Sequence, residues 1–183
     1  RQQLKSMTER APSFNDMIVR ACALALRDHP RVNAAYRDGK FELYSRINIG
    51  VAVAAQDALV VPTVFDADKK SLGEISRSVR ELAEKVREGK ITPPELSGGT
   101  FTVSNLGMFG IEQFTAVINP PEAAILAVGA ALAEPVATDE GVEVRRRMRL
   151  TLSIDHRALD GATGAGFLQQ LKSTLEHPLQ IVA

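Results

Sequence analysis

The stretch VRRRMRLTLSIDHRALDG, residues 144–161, contains the clearest structural pattern in the chain. From Val144 to Ile154, apolar side chains alternate with arginine, threonine and serine, which predicts one strand with a packed face and a solvated face. Residues 156–161 then lead from this strand into a helix. Because such junctions present side chains at the rim of a sheet, this segment is a candidate for chemistry.

Outward from this segment, three stretches have helical periodicity. Ser13 with Asp16, and Ser71 with Glu74, have the spacing of a capping box, and each pair precedes apolar residues that recur every three or four positions. A third helix begins near Gly161 and stops before a proline. The predicted helices cover residues 14–29, 72–88 and 161–176.

Shorter β-rich runs lie between the helices. They cover residues 41–44, 47–54, 59–64, 101–103, 114–118 and 123–128. The helices are too few to alternate with every strand, so we expect an α/β domain of the layered α+β kind. Its mixed β-sheet would be flanked by helices mostly on one side.

Length and composition are those of one ordinary globular domain. The 183 residues include 22 basic and 22 acidic side chains, so no surplus of cations is available for a nucleic-acid backbone. Cys22 is the single cysteine, which excludes an internal disulfide and a cysteine-based zinc site. The longest apolar run, residues 123–133, is well short of the ~20 residues of a membrane span. We therefore expect no nucleic-acid partner, no membrane and no metal.

The three histidines have different settings. His29 and His177 each precede a proline at the end of a predicted helix, where an imidazole caps the last carbonyl groups. His156 follows the alternating strand, so it is either a functional side chain or a histidine hydrogen-bonded in a turn. A metal site at His156 and Asp160 lacks a third ligand, because Asp155 would point to the opposite face of the strand.

Two glycine-rich segments also allow two readings each. Ser104 lies where a strand meets such a segment, and its hydroxyl either bonds the local backbone or faces a developing oxyanion. Residues 161–166 are similar to a phosphate loop, but their glycines are in the wrong order, so close helix packing is favoured. Residues 119–122 are interpreted as a simple turn between strands.

Three separated blocks resemble the catalytic domain of the dihydrolipoamide acyltransferases, the core components of 2-oxo acid dehydrogenase complexes. The segment from Asp155 to Gly161 matches the motif DHRxxDG, which chloramphenicol acetyltransferases share. GGTFTVSNLGMFG at residues 98–110 and INPPEAAIL at residues 118–126 are close to the same family. The resemblance implies the chloramphenicol acetyltransferase-like fold.

The resemblance also implies a reaction and roles for three residues. An acyl group would pass between the thiols of dihydrolipoamide and coenzyme A, with the lipoamide carried on a separate lipoyl domain and no metal involved. His156 would be the general base and Ser104 would stabilise the tetrahedral oxyanion. Asp160 would shape the loop that presents His156 by pairing with an arginine. Residues 106–110 and 114–118 look most like the pyruvate dehydrogenase members, which favours acetyl transfer. Succinyl or branched-chain transfer remains open. A non-catalytic scaffold homologue is disfavoured because the motif histidine is present, and a free-standing antibiotic acetyltransferase is disfavoured because the Ser104 and Pro120-Pro121 blocks look like the multienzyme family.

Further expectations from the resemblance concern organisation. Residues 1–183 would form one acyltransferase domain that lacks its N-terminal segment and has no lipoyl or peripheral-subunit-binding domain. The domain would form a homotrimer with active sites between subunits, and trimers would assemble into a core of 24 or 60 copies. The apolar tail Leu179–Ala183 would either fold back on its own core or join trimers. Partners would be the 2-oxo acid decarboxylase-dehydrogenase and dihydrolipoamide dehydrogenase, in the bacterial cytoplasm or, alternatively, the mitochondrial matrix.

Overall fold

The computed structural model describes residues 11–55 and 58–182. Four α-helices lie within these ranges: α1 (Phe14–Asp28), α2 (Leu72–Arg87), α3 (Gly161–Glu176) and the short α4 (Leu179–Val182). The first three confirm the helices predicted from the sequence. Helix α1 packs against both α2 and α3, so the long helices form one layer. None of the helices described is both long and apolar enough to cross a membrane.

Capping explains where the helices begin. The Ser13 hydroxyl accepts a hydrogen bond from the N–H of Asp16 at 3.1 Å, and the Asp16 carboxylate accepts one from the N–H of Ser13 at 2.7 Å. Ser71 and Glu74 repeat this arrangement at α2. Each box satisfies backbone donors that the first helical turn leaves free, so two helix starts are encoded locally.

Eleven strands occur in the described ranges: β1 (Ala34–Arg37), β2 (Lys40–Leu43), β3 (Ile49–Val51), β4 (Val53–Ala54), β5 (Leu59–Val60), β6 (Thr63–Val64), β7 (Phe101–Asn105), β8 (Ala124–Val128), β9 (Leu132–Thr138), β10 (Gly141–Arg147) and β11 (Leu150–Ile154). The central sheet has the order β11-β8-β7-β3-β6. Its inner pairs β8/β7 and β7/β3 are parallel, and its outer pairs are antiparallel. The mixed sheet is confirmed.

The two faces of the central sheet differ in chemistry. Phe101 and Phe167 are fully buried, with ring centroids 5.4 Å apart, so α3 packs on the apolar face. Gly164 of α3 lies against Leu152 and Ile154 on the same face, which confirms that small residues near the helix start serve close packing. The opposite face, here called the polar face, presents mostly small and hydroxyl side chains. It consists of Gly50, Thr63, Thr102, Ser104, Ala127, Thr151 and Ser153, together with the buried Ile125 of β8.

Four strand predictions were wrong. Residues 47–54 and 59–64 each divide into two strands, because β3 pairs with β6 in the central sheet whereas β4 pairs with β5 in a separate ribbon. Residues 144–154 form two strands, because the chain leaves β9 after Arg147 and pairs with β8 from Leu150 onward. Val144 is 76% exposed in the β9/β10 ribbon. The alternation of apolar and polar residues therefore extends through β10, but the apolar side chains of β10 are not packed against the core. Residues 114–118 form no strand. The carbonyl of Ala116 instead accepts a hydrogen bond from the Ser153 hydroxyl at 2.7 Å.

Candidate active site

His156 lies in an exposed turn at the end of β11. The Asp155 carbonyl accepts hydrogen bonds from the N–H groups of Ala158 and Leu159, both at 2.9 Å, which close the turn. Ala158 and Leu159 are buried, whereas His156 is exposed. The apolar pair therefore anchors the junction to the core and leaves the imidazole accessible from outside.

Asp155 and Arg157 brace this turn from both sides of the histidine. The Asp155 carboxylate accepts hydrogen bonds from Nε of Arg157 at 3.0 Å and from Nη2 at 2.7 Å. This bidentate pairing lowers the pKa of Asp155. The guanidinium also stacks over the Tyr36 ring, 4.4 Å from its centroid, which ties the turn to the β1/β2 hairpin. The histidine is thus held between two ordered neighbours.

Asp160 is the N-cap of α3. Its Oδ1 accepts a hydrogen bond from the N–H of Thr163 at 2.7 Å, and this bond is the main cause that lowers the pKa of Asp160. The positive charge of Arg31 lowers it further. The carboxylate thus fixes where the helix begins, five residues after His156. The arginine pairing implied by the family resemblance stays a prediction.

Ser104 lies inside β7, on the polar face of the sheet, and is half-buried. The next residue, Asn105, holds the loop that follows: its Oδ1 accepts a hydrogen bond from the N–H of Gly107 at 2.9 Å, and its Nδ2 donates to Asn15 at 3.0 Å. The local turn chemistry expected here therefore belongs to Asn105. Ser104 is held by the sheet itself.

The structure does not bring Ser104 and His156 together within one copy. Ser104 pairs with Ala127, and Ala127 pairs with Thr151, so two strand spacings separate β7 from β11. Asp155 lies four extended residues beyond Thr151, with its N–H still bonded to Ala123. At about 3.3 Å per residue and ~4.8 Å per strand, Ser104 and the start of the histidine turn are roughly 16 Å apart. His156 and Asp160, in contrast, share one junction.

Glu122 is a buried acid that sequence reasoning missed. It is 4% exposed, and its Oε2 accepts a hydrogen bond from the Thr102 hydroxyl at 2.6 Å. Burial raises the pKa of Glu122 to about 7, against the hydrogen bonds from Thr102 and Asn119. An acid directly before the wholly apolar run Ala123–Val128 is the signal that could have identified it.

His29 and His177 have the capping positions predicted for them. His177 ends α3, and its Nδ1 lies 2.8 Å from the Ser173 carbonyl oxygen. His29 ends α1, where its N–H donates to the Ala25 carbonyl, and its ring makes an edge contact with Phe167. The His177 imidazole therefore caps its helix as predicted, whereas the His29 imidazole packs on α3 and only its backbone N–H caps α1.

Comparison with known proteins identifies the family. The model of the 2-oxoacid dehydrogenases acyltransferase catalytic domain matches residues 1–183. The mitochondrial dihydrolipoyllysine-residue acetyltransferase component of the pyruvate dehydrogenase complex from Dictyostelium discoideum is 46% identical, over 100% of this chain and 29% of that protein. The corresponding component from Zymomonas mobilis is 43% identical, over 93% of this chain and 39% of that protein. The chain thus spans 29–39% of the length of these two relatives.

Solved structures agree with the sequence comparison. A probable dihydrolipoamide acetyltransferase from Listeria monocytogenes has a TM-score of 0.90 and 39% identity, over 96% of this chain and 75% of that one. The Azotobacter vinelandii enzyme has a TM-score of 0.90 and 32% identity, over 94% and 72% of the two chains. It was studied for the roles of a serine, a histidine and an asparagine in its catalytic mechanism.

Two further structures bear on assembly and on fold. The cubic core of a pyruvate dehydrogenase multienzyme complex has a TM-score of 0.90 and 33% identity, over 94% of this chain and 72% of that one. A chloramphenicol acetyltransferase has a TM-score of 0.61 at 17% identity, over 95% and 81% of the two chains, and shows the shared fold alone. The chain has the chloramphenicol acetyltransferase-like fold, and it belongs to the 2-oxoacid dehydrogenase acyltransferase family, whose catalytic-domain model it matches.

Proposed function

We propose that this domain transfers an acetyl group between the thiol of dihydrolipoamide and the thiol of coenzyme A. The observation that carries the proposal is the exposed His156, held in the DHRxxDG turn of a chain whose whole length matches the acyltransferase family. Both relatives described above are acetyltransferase components of pyruvate dehydrogenase complexes. The lipoyl group would arrive on a separate lipoyl domain.

The proposed general base is His156. Moving a proton from a thiol with a pKa of ~8.5 to an imidazole at ~6.5 costs roughly 2.7 kcal/mol, whereas a carboxylate near 4 would cost about 6 kcal/mol. An imidazole is therefore the better acceptor for a thiol proton. The Asp155–Arg157 pair and the Asp160 cap restrict the backbone on both sides of His156.

The proposed role of Ser104 is to donate its hydroxyl to the oxyanion of the tetrahedral intermediate. One such donor contributes on the order of 10² to 10³ in rate. The polar face supplies a rigid sheet position for this hydroxyl, and Ser104 is half-buried there. Its paired neighbour Ala127 is small, which leaves room beside the hydroxyl.

We further propose that the working site is completed by a second copy of the chain. Ser104 and the histidine turn are roughly 16 Å apart, so a single thioester carbon cannot lie within contact distance of both groups in one copy. A homotrimer would bring His156 of one copy to Ser104 of the next. The cubic core formed by the related protein supports assembly of such trimers into a larger shell of 24 or 60 copies.

The C-terminal tail is the proposed connector between trimers. Ile181 is 3% exposed and belongs to the core of its own copy, which fits the folded-back alternative for that residue. Leu179 and Val182 are 80% and 50% exposed on the same short helix, and they are available for contact with another copy.

The proposed partners of this core are the 2-oxo acid decarboxylase-dehydrogenase and dihydrolipoamide dehydrogenase. We propose the bacterial cytoplasm as the location, with the mitochondrial matrix as the alternative, and relatives of both origins are compatible with either.

The substrate is tested by comparing acetyl-, succinyl- and isobutyryl-CoA with free dihydrolipoamide as acceptor. We expect the highest kcat/KM for acetyl-CoA, and a preference for either other thioester would reassign the acyl group.

The general base is tested by His156→Ala, which is expected to lower kcat by about 10² to 10⁴ without loss of folding. His177→Ala is the matched control, because that imidazole is also exposed and caps a helix end.

Subunit mixing tests the shared site. Inactive His156→Ala and Ser104→Ala proteins are combined under conditions that exchange subunits, with exchange followed by mass-labelled copies. A site between copies regenerates some intact pairs and restores part of the turnover. Complete exchange without recovered activity would place both residues in the site of one chain.

A further inference from the structure

The polar face of the sheet contains a buried carboxyl group that the proposed mechanism does not use. Glu122 lies two residues before the first residue of β8, and its N–H donates to the Asn119 carbonyl at 3.1 Å. Its Oε2 accepts the Thr102 hydroxyl at 2.6 Å, which is at the short end of the range for O–H···O hydrogen bonds. The side chain therefore connects the start of β8 to the middle of β7.

The surroundings of this carboxyl are close-packed and uncharged. A Cβ added at Gly99 would lie 2.8 Å from Oε1 of Glu122, so only glycine leaves the carboxyl in place. The polar groups that hydrogen-bond to it are Thr102 from β7 and Asn119 from its own turn. Neither side chain carries a charge, and burial accordingly raises the pKa of Glu122 to about 7.

Thr102 and Ser104 project from the same face of β7, because strand residues two apart share a face. Thr102 pairs with Ile125 and Ser104 pairs with Ala127, both on β8. The Glu122–Thr102 hydrogen bond is thus a side-chain link across the same ladder that sets the position of Ser104. On the other side of β7, Thr100 is bonded to the backbone of Asn48 at 3.0 Å and 3.1 Å.

We propose that Glu122 is a positioning residue for the Ser104 hydroxyl and that it acts through Thr102. The inference rests on the proposed function, in which Ser104 contacts the oxyanion. Glu122 itself does not touch substrate. Its carboxyl fixes the offset of β7 against β8, and an offset of about 1 Å at an oxyanion donor can cost roughly 10²-fold in rate.

Removal of the hydroxyl partner is the direct test. Thr102→Val keeps the shape of the side chain and removes the donor. We expect it to lower kcat about tenfold, while KM for acetyl-CoA and for dihydrolipoamide stays within about twofold. Glu122→Gln keeps an acceptor oxygen for Thr102 and should retain a kcat close to that of the wild type. Glu122→Asp shortens the reach by one methylene and should lower kcat as Thr102→Val does.

A matched control is available on the helical side of the molecule. The Ser76 hydroxyl donates to the buried carboxylate of Asp16 at 2.9 Å, which is the same kind of pair on other elements. Ser76→Ala should lower Tm without changing kcat. Circular dichroism and particle size are measured for every variant, so that loss of folding or assembly is recognised. If Thr102→Val does not fold, Glu122→Asp and Glu122→Gln provide the same comparison.

The outcomes separate this inference from the function on which it rests. Wild-type kcat in folded Thr102→Val or Glu122→Asp, together with a low kcat in Ser104→Ala, would overturn the role of Glu122 and leave the proposed function intact. Wild-type kcat in Ser104→Ala would overturn the oxyanion role itself. The inference is supported if kcat is low in Thr102→Val, Glu122→Asp and Ser104→Ala, while Glu122→Gln and Ser76→Ala keep a kcat close to that of the wild type.

Discussion

Replacement of Glu122 by glutamine removes a buried ionisable group and keeps its size. Burial raises the pKa of Glu122 from the ordinary 4.5 to about 7. Between these two values the folded protein holds a proton that the unfolded chain has released. The free energy of unfolding of the wild type therefore falls as the pH rises from about 4.5 to 7, and it changes no further above the folded pKa.

The size of this effect follows from the two pKa values. Integration of the proton-binding difference from pH 5 to pH 8 gives a loss of about 2.5 kcal/mol for the wild type. For a domain of this size, 1 kcal/mol corresponds to about 2–4 °C in Tm. Glutamine has no proton to lose, so the Tm of Glu122→Gln relative to the wild type should rise by roughly 5–10 °C across this pH range.

Thermal unfolding at pH 5, 6, 7 and 8, at one protein concentration, measures this difference. Glu95→Gln is the matched control, because Lys85 and Thr92 hold the pKa of Glu95 at about 2. That carboxylate is ionised in both states from pH 5 to pH 8, so its replacement should shift Tm by the same amount at each pH. A Tm difference between Glu122→Gln and the wild type that does not change with pH would show that the pKa of Glu122 is not raised in the folded protein.

Three further predictions concern single residues. Asp160→Ala should destabilise the fold by about 1 kcal/mol in urea unfolding because α3 loses its N-cap, whereas Asp160→Asn keeps the acceptor and should stay within a few tenths. Phe167→Ala removes a fully buried ring beside Phe101 and should cost about 3–5 kcal/mol in the same assay; a cost below 1 would contradict the packing described. Leu179→Asp should leave active trimers but abolish larger particles in light scattering, because this side chain is 80% exposed on its own copy; unchanged particles would exclude it as the connector.

Local chemistry encoded in the sequence was sufficient for the helices and for the candidate histidine. The capping boxes at Ser13 and Ser71 use side chains three residues apart, so their bonds form wherever the helices begin. His156 was separated from His29 and His177 by its place after a strand instead of at a helix end. These inferences depend on neighbours along the chain, and the structure confirms the helix ends and the turn.

Pairing between distant segments was not available to the same reasoning. The alternation from Val144 to Ile154 continues through a change of partner, because a strand keeps its period of two in a free ribbon and in a central sheet alike. Residues 114–118 have strand-like composition, yet their Ala116 carbonyl is bonded by a serine side chain from β11. Composition indicates that a segment can adopt an extended conformation, but the neighbouring segment that it hydrogen-bonds to is determined by the fold.

The sequence alone determined the helices, the family resemblance and the residues to test, because each depends on side-chain types at fixed spacing. The fold places Ser104 and the histidine turn at different ends of one sheet, and this separation follows from the register of three strands that are far apart in sequence. The tertiary structure also decided that Glu122 is buried against Thr102. A carboxyl acquires a raised pKa from the atoms that exclude water around it, and those atoms come from segments far apart in the chain.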